Sequence, residues 1–239
     1  MGDDMKLMKG RIRFDASAGR VRYPLLGTTL DLGRTKGEVL ISPQWVVVDK
    51  MMGTIWDGTF TGRVLAQIDD GDALNGSFVL QDMNLTSIGK SYDKKMEKAT
   101  VHGAIEFSSK GGNMNSIQAK GEAALVHGDL VEIPLFGFLG EALSNYIPGL
   151  GHLINYKISR ADCDFSIEKG YVRTSNFAAQ GSNMSLEGGG WIRLSDLQVN
   201  SDFKLGLRGF PGFITSPVFL LAGGLFQVRG TGPLSNVSW

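Results

Sequence analysis

The stretch Leu197–Leu207, LQVNSDFKLGL, decides the fold because apolar and polar residues alternate along it. Its odd positions, Ser201 excepted, carry large apolar residues, and its even positions carry polar residues or glycine. A period of two residues places successive side chains on opposite sides of a β-strand. The stretch therefore predicts one strand with an apolar side and a polar side.

The same two-residue period recurs along most of the chain, for example in Phe60–Ile68, Val101–Phe107 and Ala161–Glu168. The chain has 33 glycines, and the Asp-Gly and Asn-Gly pairs among them supply the positive φ angles of hairpin turns. The glycines that we place at strand ends or between strands are those of Asp57-Gly58, Asp70-Gly71, Asn75-Gly76, Lys169-Gly170 and Gly188-Gly189-Gly190. The pattern predicts a meander of hairpins.

Between these turns, we predict strands near residues 11–15, 20–23, 28–32, 37–41, 45–49, 60–68, 74–80, 83–87, 99–107, 115–126, 160–167, 171–174, 177–180, 183–187, 191–194, 197–207 and 226–230. A sheet with one apolar side must close, pack on a second sheet, or curl over helices or a ligand. Frequent glycines favour an open, curved sheet because they permit bulges and coiling. The predicted fold class is mainly β: a long, curved, mostly antiparallel sheet, shaped as a half-pipe or groove, in a single domain spanning residues 1–239.

Two segments break the two-residue period and predict short amphipathic helical inserts. In Pro134–Tyr156, apolar residues recur at helical spacing, with proline in the first turn and Pro148-Gly149 at the end. In Phe210–Phe226, Pro217 is placed to begin a short helix that ends before Gly223-Gly224. We expect both inserts to cover an apolar surface.

Charge and composition exclude several functional classes. The 24 basic and 24 acidic residues cancel, so the chain lacks the basic excess that nucleic-acid binding needs, and no nucleic-acid partner is expected. Apolar residues make up 42% and charged residues 20%, which is typical of a folded protein. The single cysteine, Cys163, belongs to the apolar set of a strand and is interpreted as a small core residue.

No arrangement of residues with the spacing of a catalytic or metal site stands out. No nucleophile elbow of the Gly-x-Ser-x-Gly type occurs, and Gly89-Lys90-Ser91 lacks the earlier glycine of a phosphate-binding loop. The acidic residues of Asp69–Asp72 lack the order of a calcium loop and are interpreted as a hairpin turn. The histidines that lack a second ligand at short spacing are His102, His127 and His152. We therefore expect no enzyme activity, no catalytic residue, no metal and no cofactor.

Three stretches carry a resemblance to a known family. They are GDLVEIPLF at Gly128–Phe136, FSIEKGYVRT at Phe165–Thr174 and VRGTGPLSNVSW at Val228–Trp239. Together they resemble the C-terminal region of AsmA-like proteins, over roughly Gly121 to Trp239. The larger members look like bridges with a repeating β-groove, anchored at the inner membrane of diderm bacteria, whose apolar trough is implicated in moving phospholipid toward the outer membrane. This chain departs from the family's pattern, because it is far shorter and lacks the usual N-terminal membrane helix.

The resemblance implies a non-enzymatic cell-envelope protein that shields or guides lipid acyl chains in outer-membrane biogenesis or phospholipid homeostasis. It also implies a periplasmic location, within a longer parent chain anchored at the inner membrane. The implied partners are phospholipid acyl chains and other envelope proteins. The apolar residues that we expect to line the groove or the surface of the inserts are Phe136, Phe138, Leu139, Leu143, Ile147, Phe203, Leu205, Leu207, Phe213 and Phe219.

Two alternatives stay open at the level of the sequence. The inserts could fill the apolar side of the sheet and leave no room for a ligand. The chain could also be a structural or adhesin-like β-solenoid with a sealed core, whose polar side binds a protein or glycan partner. A solenoid would have parallel rungs at a fixed repeat, whereas the predicted strands vary in length and are joined by hairpin turns.

Overall fold

The computed structural model describes residues 10–23, 28–68, 73–91, 98–111, 114–129, 157–182, 184–207, 225–234 and 237–238. The described strands are β1 (Gly10–Ala16), β2 (Gly19–Tyr23), β3 (Thr28–Ile41), β4 (Trp45–Ile55), β5 (Gly58–Gln67), β6 (Ala73–Asn84), β7 (Thr100–Ser109), β8 (Gln118–Asp129), β9 (Lys157–Glu168), β10 (Tyr171–Gly181), β11 (Met184–Arg193), β12 (Gln198–Leu207) and β13 (Leu225–Pro233). One α-helix, α1 (Leu85–Ser91), and one 3-10 turn, Met114–Ser116, complete the described secondary structure.

The strands form one open antiparallel sheet in which neighbours along the chain are mostly neighbours in space. The order is β1-β3-β4-β5-β6-β7-β8-β9-β10-β11-β12-β13, and β2 also pairs with β3. The predicted fold class, a long and mostly antiparallel open sheet, is therefore confirmed. Among the described residues, no helix combines the length and the hydropathy that a membrane span requires.

The described residues fall into two compact units. Unit 1 is drawn from Met1–Lys95, Val101–Ala123 and Ser166–Gly170, and unit 2 from Met96–Thr100, Ala124–Phe165 and Tyr171–Trp239. The prediction of a single domain over residues 1–239 stays a prediction. Both predicted helical inserts lie outside the described residues, except that Leu225 and Phe226 begin β13.

Several predicted strands join into longer ones, which corrects the predicted turns. Asn75-Gly76 lies inside β6, opposite Leu65 and Val64, and Gly188-Gly189-Gly190 lies inside β11. The predicted strands 171–174 and 177–180 are one strand, β10, with a register shift between Thr174 and Phe177. A β-bulge of this kind adds a residue and bends the strand without ending it. The glycines therefore lie within strands more often than the sequence predicts.

The predicted strand 83–87 is wrong from residue 85 onward, because residues 83 and 84 end β6 and residues 85–91 form α1. The Oδ1 atom of Asn84 accepts a hydrogen bond from the backbone N–H of Thr86 at 2.9 Å, which satisfies one of the free donors of the helix N-terminus. The side chain of Ile88 then packs against a cluster formed by Ile55, Phe60 and Met83. Burial of one apolar helix side against the sheet thus overrides the local two-residue pattern.

Two hairpins are closed by pairs of residues in the left-handed region. Trp56 and Asp57 have φ values of 49° and 60°, and they join β4 to β5, so that Gly58 is the first residue of the next strand. Lys169 and Gly170 have φ values of 52° and 76° and join β9 to β10, as predicted. Two consecutive positive φ values match the right-handed twist of the paired strands.

Phenylalanine rings lie over glycines of the adjacent strand at several points in the sheet. The closest approaches bring Phe14 over Gly37, Phe60 over Gly53, Phe78 over Gly62, Phe107 over Gly76 and Phe203 over Gly188. A Cβ atom on Gly62 would lie 2.4 Å from Cδ1 of Phe78, so only glycine leaves room for this ring. An aromatic ring over a glycine covers backbone that has no side chain of its own.

In unit 1 these rings form a continuous series. The centroids of Phe60 and Phe78 are 6.4 Å apart at an interplanar angle of 59°, and those of Phe78 and Phe107 are 6.1 Å apart at 1°. Each of these three rings belongs to the strand that follows the strand of its glycine. Aromatic pairs at these separations add about 0.5–1.5 kcal/mol beyond the area that they bury.

Unit 2 has its core on the apolar side of β11 and β12. The buried side chains there are at most 3% exposed, and they are Met184, Leu186, Val199, Phe203 and Leu205. Their positions confirm the predicted alternation of β12. Leu197 is the exception, because it lies in the preceding turn with a φ of 55° and is 50% exposed.

Ion pairs cross between strands on the polar side of unit 1. The Nε atom of Arg13 donates to Oε1 of Glu38 at 2.8 Å, and this hydrogen bond holds the pKa of Glu38 below its ordinary value of 4.5. The guanidinium of Arg34 donates two hydrogen bonds to Asp15, at 3.0 and 2.6 Å, and the pKa of Asp15 is lowered for the same reason. Both carboxylates are therefore stabilised in the charged form.

Replacement of Gly188 by Ala tests the close packing of the glycines inside β11. A Cβ atom there would lie 2.1 Å from the carbonyl oxygen of Asp202 and 2.8 Å from Cα of Phe203, and neither backbone atom can rotate away. We expect Gly188→Ala to lower the free energy of unfolding in urea by about 1–3 kcal/mol. The control is Gly10→Ala, whose Cβ meets nothing closer than 4.0 Å and should change stability by less than about 0.5 kcal/mol. Equal effects of the two substitutions would contradict this account.

Acid should destabilise the protein through the paired carboxylates. A carboxyl group whose pKa is lowered by folding stabilises the folded state above its unfolded pKa, and this contribution is lost as the pH falls through the folded pKa. We expect the thermal midpoint to fall below about pH 4.5, the ordinary pKa of Glu38, and Glu38→Gln to reduce the midpoint more at about pH 6 than at about pH 3. Glu187→Gln is the control, because Glu187 is exposed and forms no ion pair within the described residues. An unchanged pH profile in Glu38→Gln would rule out this contribution.

Candidate functional site

The strand register of unit 1 brings small and aliphatic residues together in two adjacent rows on one side of the sheet. We call these the apolar rows. They run across β1, β3, β4, β5 and β6, with Ile12, Val39, Val48, Val64 and Gly76 in the first row and Gly10, Ile41, Val46, Ala66 and Leu74 in the second. Directly opposed residues of an antiparallel pair lie on the same side, so the ten positions form one surface without a polar side chain.

This surface is open to solvent. Ile12 is 54% exposed and Ile41 is 37% exposed. The other side chains of the apolar rows are partly exposed, and none of them is buried. Ile68, which is 55% exposed, follows β5, and its backbone N–H donates to the carbonyl oxygen of Gln44 at 2.8 Å, which extends the pairing beyond the second row. Exposed apolar residues that are contiguous mark binding surfaces more often than isolated ones do.

Burial differs along the same side of unit 1. Farther along the strands, Ile55 and Phe60 are 7% and 5% exposed, and Met83 is 1% exposed. That end is covered in part by α1, through the contact of Ile88 with this cluster. The apolar rows are therefore a continuation of the core surface that the described residues leave uncovered.

The opposite side of these strands carries both charged and apolar side chains. Arg13 and Glu38 pair across β1 and β3, and Arg63 and Asp49 pair across β5 and β4 at 3.4 Å. Leu40, Val47 and Leu65 lie opposite one another on the same side, and Val47 is 4% exposed. The two sides therefore differ in charge, because the apolar rows carry none.

Among the residues predicted to line the groove or the surface of the inserts, the structure describes the side chains of two. Phe203 and Leu205 are 2% and 1% exposed in the core of unit 2, where the ring of Phe203 meets the ring of Phe177 at 5.6 Å and 76°. Leu207 is in β12 opposite Met184, and its side chain lies outside the described residues. The other predicted residues also lie outside the described residues, and they are Phe136, Phe138, Leu139, Leu143, Ile147, Phe213 and Phe219.

Sequence reasoning did not identify Ile12, Ile41 or Ile68 as candidate site residues. One local signal was present, because the ten residues Val39–Val48, VLISPQWVVV, contain no charge. A run of this kind spans a hairpin and contributes aliphatic residues to both strands. The exposure of the run depends on what covers it, which alternation along one strand does not reveal.

The titratable residues considered above occupy separate structural roles. The Nδ1 atom of His102 accepts a hydrogen bond from the backbone N–H of Asp82 at 3.3 Å. Cys163 is partly buried, and burial, together with the neighbouring Asp164, raises the pKa of its thiol. Among the described residues, no group of three or more His, Cys, Asp and Glu side chains is arranged to hold a metal ion.

Open clefts also occur among the described residues of each unit. One in unit 1, of about 530 Å³, is lined by residues of β7, β8 and β9, namely Glu106, Phe107, Ser108, Gln118, Ala119, Lys120, Ser166, Ile167 and Glu168. One in unit 2, of about 340 Å³, lies beside the bulge of β10 and includes Asn176, Glu187 and Lys204. No described histidine lines either cleft.

Comparison of the chain with protein-family models, with curated proteins and with solved structures yields no match. The resemblance to AsmA-like proteins therefore stays a prediction. The assignment of a function depends on the geometry of the apolar rows.

Exposure of the apolar rows predicts that their side chains contribute little to stability. We expect Ile12→Ser and Ile41→Ser each to lower the free energy of unfolding by less than about 1 kcal/mol, measured by urea denaturation. The contrasting variant is Leu186→Ala, which removes a side chain that is 0% exposed and should cost about 2–5 kcal/mol. If Ile12→Ser or Ile41→Ser lowered the free energy of unfolding as much as Leu186→Ala does, the apolar rows would be part of the core.

Proposed function

We propose that the chain is a non-enzymatic cell-envelope protein whose apolar rows shield lipid acyl chains, in outer-membrane biogenesis or phospholipid homeostasis. The observation that carries this proposal is a partly exposed surface of ten residues in register across five strands, with no polar side chain. The periplasmic location and the envelope partners rest on the resemblance of Gly121–Trp239 to AsmA-like proteins.

Physical chemistry supports an acyl chain as the ligand. Each methylene that leaves water contributes about 0.8 kcal/mol, and this gain needs an apolar surface without directional bonds. The apolar rows offer such a surface, because Ile and Val side chains supply them with methyl groups. Their five strands span about 19 Å, which is four intervals of about 4.8 Å, and an extended long-chain acyl group can lie along this length.

The arrangement does not fit the solenoid alternative. Parallel rungs define a β-solenoid, whereas the register pairs of β1 with β3, of β4 with β5 and of β11 with β12 are antiparallel. On the opposite side of unit 1, several charges are paired with one another, as in Arg13 with Glu38 and Arg63 with Asp49. The apolar rows are therefore the surface of unit 1 that we propose as the ligand-binding surface.

A binding experiment with a fluorescent long-chain fatty acid tests the proposal. We expect the purified chain to bind the probe, and Ile12→Glu combined with Ile41→Glu to weaken binding at least about tenfold, because a carboxylate in the rows must be desolvated by the bound chain. Lipid extraction and mass spectrometry of the purified wild-type chain should recover acyl lipid, and extraction of the variant should recover less.

The matched control places the same two charges on the opposite side of the same sheet. Met52 and Val79 are 40% and 43% exposed, and Met52→Glu with Val79→Glu should leave probe binding unchanged. Both double variants should retain the circular dichroism spectrum and the urea midpoint of a folded sheet. Absence of probe binding by the folded wild-type chain, or equal losses in the two variants, would refute the proposal.

A further inference from the structure

We infer that the lipid bound by the apolar rows carries a negatively charged headgroup, which Arg11 holds at the free edge of β1. This inference rests on the proposed function and adds to it the class of headgroup and the direction in which the lipid lies. It follows from the charges of β1 to β3, the register of Arg11 and the position of β1 in the sheet.

The first strands of unit 1 are basic within a chain that has no net charge. Between Gly10 and Ile41 there are six basic residues and three acidic residues, which leaves an excess of three positive charges. Each of the three acids already has an arginine partner. The pairs are Asp15 with Arg34, Asp31 with Arg20, and Glu38 with Arg13.

Arg11 differs from these arginines because of its register. Its cross-strand partner is Leu40, whereas Arg13 lies opposite Glu38. Within the described part of the chain, no hydrogen-bonded ion pair involves Arg11, and its side chain is exposed, although its charge helps to lower the pKa of Glu38. A guanidinium has five donors, which suit the oxygens of a phosphate or carboxylate.

The charge of Arg11 lies close to the apolar rows. Its neighbour along the strand is Ile12, which belongs to the first row and points to the other side of the sheet. β1 is the first strand in the sheet order, so no described strand pairs with its outer edge. The long aliphatic stem of arginine can cross such an edge while the guanidinium stays in water, and one ligand can therefore contact both sides.

The register of the apolar rows then sets the direction of the acyl chain. With its headgroup at β1, the lipid lies across β3, β4 and β5 toward β6.

Lipid transfer from vesicles tests the inference. The probes are pyrene-labelled phosphatidylglycerol and phosphatidylcholine with identical acyl chains, each offered in vesicles of phosphatidylcholine. We expect the wild-type chain to bind the anionic lipid about tenfold more tightly than the zwitterionic lipid at low salt, since one basic residue near a lipid phosphate is worth about a factor of five to ten. The preference should disappear in about 1 M salt, where the Debye length is about 3 Å.

Arg11→Glu should remove this preference and leave binding of the zwitterionic lipid unchanged. The matched control is Lys120→Glu, which reverses one exposed charge on β8 of the same unit and should keep the preference. Inorganic phosphate at millimolar concentration should not displace the bound lipid, and displacement would assign the site to free phosphate instead. Equal binding of both lipids by the wild-type chain, or an intact preference in Arg11→Glu, would overturn the inference. Failure of the proposed function would differ, because neither lipid would then bind.

Discussion

The contact between a phenylalanine ring and a glycine of the neighbouring strand is the constraint on which the sheet depends. An open sheet with one short described helix has little other structure to cover its apolar side. A ring that lies over a glycine covers its own strand and the backbone of the next strand. The rings of Phe60, Phe78 and Phe107 link the four consecutive strands β4 to β7 without a second layer of secondary structure. The same geometry explains why the glycines cannot be enlarged, since the ring occupies the volume that a side chain would need.

The apolar rows begin where this covering becomes sparse. At one end of unit 1, the rings and Ile88 of α1 enclose Ile55, Phe60 and Met83. At the other end, valine and isoleucine replace phenylalanine on most strands, and their smaller side chains are partly or fully exposed. The same apolar side is therefore core at one end and exposed surface at the other. Exposure at that end follows from the distribution of aromatic residues, and a ligand that binds there completes a surface that the described chain leaves open.

Sequence patterns predict the strands better than they predict the turns. The period of β12 is set by burial of every second residue, and Phe203 and Leu205 follow it. By contrast, Asn75-Gly76 has the local signature of a hairpin turn and still lies within β6, because Phe107 comes from a later strand to cover Gly76. The sequence pattern also failed to predict helix α1, since Met83 and Leu85 fit the two-residue period of a strand. In both cases the deciding contact joins residues that are distant in sequence.

The candidate site was harder to predict than the fold for a related reason. Alternation identifies the apolar side of each strand, but a surface that crosses five strands exists only when their register is known. Residues with large apolar side chains, such as Phe203, are natural candidates in the sequence, but Phe203 is buried in the structure. The exposed apolar residues are instead mostly aliphatic, and some of them occur at strand ends, as Ile41 does at the end of β3.

Edge position gives β1 a property that no interior strand shares. In an interior strand, residues that alternate between the two sides are separated by the sheet itself, and one ligand cannot touch both sets. In β1, Ile12 and Arg11 also point to opposite sides, but the strand has no described partner beyond it. The two-residue period that builds the sheet therefore places an apolar surface and a positive charge within reach of one amphipathic molecule. Natural edge strands often carry charges that prevent aggregation, and Arg11 satisfies that requirement while leaving its guanidinium available to a ligand.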